Sequence, residues 1–153
     1  MQTIYYVAVL VIRPTDIGHE LLMGLRAEGR YMGGTWQLIT GSIEPNETAW
    51  QAALREVGEE TGLVVRELYR LSHVTQFYRV DADAICVAPM FCAIVDAAAE
   101  PTINPEHTSL RWVPITEAAA RLMWPGDRMA LEQVRTDVLA DGPAKPHLRI
   151  ELD

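Results

Sequence analysis

Thr3 to Ile12 is an unbroken run of β-branched, aromatic and aliphatic residues with no charge in it. It predicts a central strand buried on both faces. A turn at Pro14, Asp16 and Gly18 follows, then a second apolar strand over His19 to Arg26. Gly29 to Gly34 reads as a loop, and Trp36 to Thr40 as a short strand ending at Gly41. The apolar period then becomes helical. With Glu56 at zero on a wheel of about 100° per residue, Trp50, Ala53, Leu54, Val57 and Thr61 occupy an arc from roughly 60° to 160°. That arc is the expected buried face. Asn46 is the expected N-cap and Gly62 the expected left-handed stop.

Val64 to Val80 and Ile85 to Ala97 predict two strands around a turn at Asp81 to Asp83. A loop with two prolines, Ala98 to Pro105, leads to a short strand over Ser109 to Val113. A helix starts at Thr116 and is expected to break at Pro125-Gly126, with another from Asp127 to Ala140. Residues 1–140 therefore read as one α/β domain, a sheet flanked by helices, and 141–153 as a tail without clear structure.

Composition narrows the class. Of 153 residues 49% are hydrophobic, enough for a sizeable core. The first apolar run is far shorter than the about 20 residues that span a bilayer, and it lacks the basic start and cleavage site of a signal peptide. A cytoplasmic protein without membrane contact is expected. The net charge is −8, which disfavours a nucleic-acid partner. An anionic ligand would need a recruited cation, and a divalent metal is the obvious one. Cys86 and Cys92 would lie about 20 Å apart along an extended strand at ~3.3 Å per residue, too far for a disulfide. Two buried thiols are expected.

The chemistry concentrates between Gly41 and Leu63. On the same wheel Glu59 falls near −60° and Glu60 near +40°, so three carboxylates share an arc of roughly 100° with Glu56. Like charges at this spacing repel by about 0.2–0.5 kcal/mol per pair on an exposed helix. Bound Mg²⁺ or Mn²⁺ would reverse that sign, because hard divalent cations take carboxylate oxygens. Arg55 lies four residues before Glu59 and can pair with it. Glu47 falls near 180° on the wheel, which suits a supporting role rather than metal contact.

The pattern runs Gly41, five residues, Glu47, seven residues, Arg55-Glu56, an aliphatic, any residue, Glu59-Glu60, any residue, Gly62, an aliphatic. It resembles the Nudix box of the Nudix hydrolase superfamily at every specified position. The resemblance implies an α/β/α sandwich with a mixed sheet, the box forming a loop–helix–loop. It implies Mg²⁺ or Mn²⁺ as cofactor, water attack on a diphosphate, and Glu56, Glu59 and Glu60 in the metal and base positions. Which glutamate is the base stays open.

Segments outside the box are similar to the dihydroneopterin triphosphate pyrophosphatase branch, which also acts on dATP-like nucleotides. They are Trp36 to Glu44, Glu106-His107 before Arg111-Trp112-Val113, and Trp124 followed by Arg128 and Ala130 to Gln133. Pro45-Asn46 departs from that branch's usual Glu-Gly. The similarity implies that Glu106 joins the metal and catalytic group. Arg26 could meet a phosphate, Gly41 borders the substrate, and one of Phe77 and Tyr78 could stack on a ring. Trp112 and Trp124 read as core, and His73 and His107 as structural or surface residues. The expected partner is a nucleotide or pterin triphosphate, with a homodimer allowed. Dinucleoside polyphosphates, ADP-ribose and a non-catalytic nucleotide sensor stand as alternatives.

Overall fold

The computed structural model describes residues 1–105 and 107–152. Its strands are β1 (Gln2–Thr15), β2 (Gly18–Arg26), β3 (Trp36–Gln37), β4 (Ile39–Ser42), β5 (Glu67–Arg79), β6 (Ala84–Ile94), β7 (His107–Pro114) and β8 (Arg149–Ile150). They form one sheet in the order β3-β2-β1-β6-β5-β8, with β4 beside β1 and β7 beside β2. β1 runs parallel to β6 and the other pairings are antiparallel, so the sheet is mixed.

The unbroken apolar character of β1 follows from its two covered faces. Val7, Val9 and Val11 pack with Ala52, Ala53 and Val57 of α1 (Ala49–Thr61). Ala8, Leu10 and Ile12 pack on the other face with Ala130 and Leu131 of α3 (Pro125–Gln133). Leu10 and Ile12 are fully buried, each stabilising the fold by about 1.5–3 kcal/mol. Helices on both faces of a mixed sheet give the expected α/β/α architecture. Cys86 and Cys92 are both buried free thiols. Among the described residues no helix is long and apolar enough to cross a membrane.

Several boundaries differ from the expectation. The N-cap of α1 is Thr48, not Asn46. Its hydroxyl accepts from Gln51 N–H at 3.3 Å, and the Gln51 side chain accepts Thr48 N–H at 2.8 Å. Two backbone donors are thus satisfied reciprocally, which a cap at Asn46 would not achieve. Asn46 instead sits in the preceding turn at φ 68, a left-handed conformation Asn tolerates. Gly62 ends the helix at φ 71 as expected. The apolar arc is also shifted. Ala52 and Glu60 on the acidic side are buried, whereas Trp50 and Leu54 are only partly covered.

The helix from Thr116 is α2 (Ile115–Arg121), and Pro125 opens α3 rather than breaking it. At a first helical position proline's missing N–H costs nothing. α3 continues as a π-helical segment through Leu139. The tail is structured: α4 (Lys145–Leu148) buries Leu148, and β8 pairs with Leu68 and Tyr69 on the outer edge of β5. A short C-terminal strand thereby covers part of what would be an open sheet edge.

Candidate active site

The box helix is organised by one guanidinium. Arg55 Nη2 donates to Glu47 Oε1 at 2.7 Å and to the Ser42 carbonyl at 2.8 Å, and Nε donates to Glu47 Oε2 at 3.1 Å. Arg55 Nη1 reaches Glu56 Oε1 at 2.8 Å and Glu59 Oε2 at 3.1 Å, with Glu44 Oε1 at 3.6 Å. Glu47 also accepts Glu44 N–H at 2.8 Å, which closes the loop before the helix. The fork of Arg55 holds the Glu47 carboxyl below the usual carboxylate range, and Glu47 in turn raises Arg55. Glu47 therefore lies against Arg55, the position of a brace.

Glu56 and Glu59 converge on one cationic atom, so they are close enough to share a cation. Glu60 is 3% exposed and Glu59 is exposed, so the acidic arc has an inner and an outer side. The donors are all hard carboxylate oxygens, the chemistry a divalent ion requires. Among the described residues no three acidic, His or Cys side chains are gathered as a metal cage, and Arg55 Nη1 donates to both Glu56 and Glu59. Glu106 lies outside the described residues.

Gly41 connects these carboxylates to the rest of the site. A Cβ there would overlap the Glu56 side chain, so only glycine lets Glu56 lie against β4. Gly41 and Glu56 both border a cleft of about 920 Å³ that extends over the sheet face toward α3. Its volume falls within the ~300–1,000 Å³ of small-molecule sites. Arg26, Phe77 and Tyr78 line it as well. Arg26 is half-buried, with no ion-pair partner and a buried Nε without a hydrogen bond among the described residues. Phe77 packs edge-on against Tyr6, with ring centroids 6.2 Å apart. The hydroxyl of Tyr78 instead donates to Asp83 in the β5–β6 turn at 2.9 Å. Of the two rings, Phe77 is the one packed with another cleft aromatic.

The far end of the cleft was not foreseen. Trp124 is 45% exposed and lines the cleft, which corrects its reading as core. Arg128 fixes the segment before it by donating to the Leu122 and Met123 carbonyls at 2.8 and 2.9 Å. His73 also lines the cleft, pressed by the start of α3: a Cβ at Gly126 would stand 2.8 Å from His73 Nε2. The strand irregularity between Arg70 and Val74 is held by Gln133, which accepts Ser72 N–H at 2.8 Å and donates to Ser72 Oγ at 2.9 Å. Trp112 is half-buried, with Arg13 stacked on its ring at 4.4 Å.

Asp127 is the main residue the sequence reading missed. It sits in the first turn of α3, 8% exposed, bordering the cleft. Burial pushes its carboxyl up to about 6, opposed by Arg128. Burial also raises Tyr6, and Asp127 adds to that shift. The available signal was Pro125: as a first-turn proline it places Asp127 at a helix start rather than in a break.

Comparison with known proteins agrees with this geometry. The chain is 32% identical over 138 residues to the dihydroneopterin triphosphate diphosphatase of Escherichia coli K12, covering 82% of this chain and 88% of that protein. It is 32% identical over 134 residues to an octanoyltransferase of Myxococcus xanthus, covering 83% of this chain and 35% of that protein. Several curated relatives are much longer, and the chain spans 35% to 54% of the length of three of them. A solved Ap4A hydrolase complex from C. elegans shares the fold at a TM-score of 0.74 and 17% identity, over 87% of this chain and 96% of that one. The family profile of the NUDIX domain matches residues 4–134, and the chain belongs to that family.

Proposed function

We propose that this chain hydrolyses a phosphoanhydride bond of a nucleoside or pterin triphosphate, releasing the monophosphate and pyrophosphate. The observation that carries the reading is the junction at Gly41, where the Glu56 carboxylate borders the same cleft as Phe77, Tyr6 and Trp124. One continuous space thus offers charge chemistry at one end and ring contacts at the other. The 32% identity to a dihydroneopterin triphosphate diphosphatase over most of both chains supports the substrate class.

Glu56, Glu59 and Glu60 would hold Mg²⁺ or Mn²⁺. Such an ion, when bound, clamps phosphate oxygens and lowers the pKa of the attacking water. The water oxygen bonds to phosphorus, the bridging P–O bond breaks, and a box carboxylate takes the proton. Arg55 restrains the carboxylates through the contacts described above. Arg26, without an acidic partner among the described residues, faces the cleft as a phosphate cation. Phe77 and Trp124 offer flat apolar contact to a ring, and Asp127 offers a hydrogen-bonding edge.

The test is hydrolysis of dATP, dihydroneopterin triphosphate, ADP-ribose and diadenosine tetraphosphate under one Mg²⁺ condition, with products separated. The reading expects the highest kcat/KM for a triphosphate, pyrophosphate as product, and no turnover in excess chelator. A preference for either of the last two substrates, or orthophosphate release from triphosphates, overturns it.

A further inference from the structure

The loop between β2 and β3, residues 27–35, leaves the sheet and reaches a distant strand. In sheet order β2 and β5 are separated by β1 and β6. Three strand steps at ~4.8 Å each make a span of roughly 14 Å. The loop covers it, because the Tyr31 ring lies under the guanidinium of Arg79 at the end of β5, 4.1 Å from ring centroid to Cζ. Tyr31, Met32 and Arg79 all border the cleft. The contact therefore bridges the cleft from one wall to the other.

Both partners are prepared for this contact. Arg79 is held by Asp81, its Nε donating at 2.7 Å and Nη2 at 2.9 Å, which fixes the plane presented to Tyr31. The loop is a self-braced unit. Gly33 N–H donates to the Arg30 carbonyl at 2.9 Å, Thr35 N–H to Met32 at 3.3 Å, and Thr35 Oγ1 to Met32 at 2.5 Å. Its base is tied by Arg26 N–H to Thr35 and Gly34 N–H to Arg26, both at 3.0 Å. Gly29 and Gly34 adopt φ of 85° and 78°, and Met32 adopts 58°. A Cβ at Gly34 would meet Glu28 Oε1 at 2.7 Å. The loop is thus braced within itself and at its base, and the Tyr31–Arg79 stack is the contact at its tip.

We propose that residues 27–35 form a strap over the ring-binding part of the cleft, fastened by Tyr31 on Arg79, and that this fastening sets the affinity for ring-bearing substrate. The assignment of the cleft as the substrate site rests on the function proposed above. The fastening itself does not. Tyr31 and Arg79 are positioning residues, remote from the box carboxylates in sequence.

Limited trypsin digestion of the full chain reads the fastening without any substrate, because Arg30 is exposed beside Tyr31. Cleavage between Arg30 and Tyr31 is followed by the mass of the 1–30 fragment. Arg79→Gln leaves the cut sequence unaltered and should speed cleavage about 3- to 5-fold, the size expected for a partly exposed cation–ring contact. Tyr31→Leu should do the same, the double variant should be no faster than either single one, and Tyr31→Phe should stay protected. Equal cleavage rates in the parent chain, Tyr31→Leu and Arg79→Gln overturn the strap. The second arm is Mg²⁺-dependent dATP hydrolysis. Arg79→Gln and Tyr31→Leu should raise KM by about 3- to 10-fold with kcat within twofold, and Tyr31→Phe should restore KM. A fall in kcat at unchanged KM overturns the affinity role. If the parent chain hydrolyses no triphosphate, the proposed function fails, while the digestion arm still decides the fastening.

Discussion

The two ends of the cleft, on either side of Gly41, are built from opposite materials. On the α1 side one arginine touches Glu44, Glu47, Glu56 and Glu59, all within a stretch of 16 residues. On the α3 side the surface comes from distant segments: Tyr6 from β1, Phe77 from β5, and Trp124 and Asp127 from around the start of α3. The first end concentrates charge and satisfies it internally. The second is mostly apolar and carries one buried acid that nothing neutralises fully, as the upward displacement of Asp127 shows. On the proposed function, a divalent ion recruited by the carboxylates would hold the reacting phosphates at the first end, and the second would select the attached group by shape.

The division predicts that substitutions at the first end act on rate and those at the second on affinity. The largest effect is expected for Glu56→Gln, which keeps shape and removes charge. Its kcat should fall about 1,000-fold, roughly 4 kcal/mol, with Tm changed little. Near-normal kcat would remove Glu56 from the chemistry. Arg55→Met comes next. It takes the shared cation from four carboxylates, so kcat should fall about 100-fold, roughly 2.7 kcal/mol. Chemical denaturation should show a loss of about 2–3 kcal/mol. An unchanged denaturation midpoint would reduce Arg55 to a surface contact.

Asp127→Asn tests the other end. The folded state raises this carboxyl from 3.8 to about 6. The charged form is therefore disfavoured on folding, and the penalty is fully present above about pH 6. It fades as pH falls from 6 toward 3.8. The shift corresponds to at most about 3 kcal/mol, and the loss of an acid at a helix start offsets roughly 0.5–1 of it. The variant should gain about 2 kcal/mol at pH 8, distinctly less at pH 5 and nothing near pH 4. A pH-independent gain would mean that Asp127 does not titrate in this range. The smallest effect is expected for Phe77→Ala, where dATP KM should rise about 10-fold, or 1.4 kcal/mol, with kcat unchanged. A loss confined to kcat would show that the aromatic end does not act through affinity.

The sequence by itself determined what depends on near neighbours along the chain. The box spacing gave the helix, its glycine stop and the arc of carboxylates, because helical periodicity converts sequence distance into direction. The uninterrupted apolar run of β1 announced a strand covered on both sides. Even here local alternatives misled, since Asn46 and Thr48 are both acceptable caps and only the reciprocal bond from Gln51 selects Thr48. Tertiary structure decided the rest. Whether Trp124 packs inward or lines a cleft depends on where α3 lies across β5, and that placement rests on Gly126 against His73 and on Gln133 at Ser72. Asp127 differs from any other acid near a helix start because α3 carries it into a desolvated position. Tyr31 meets Arg79 only because the sheet order sets two strands between β2 and β5. These contacts join residues that are neighbours in space and strangers in sequence, and no periodicity along a chain records them.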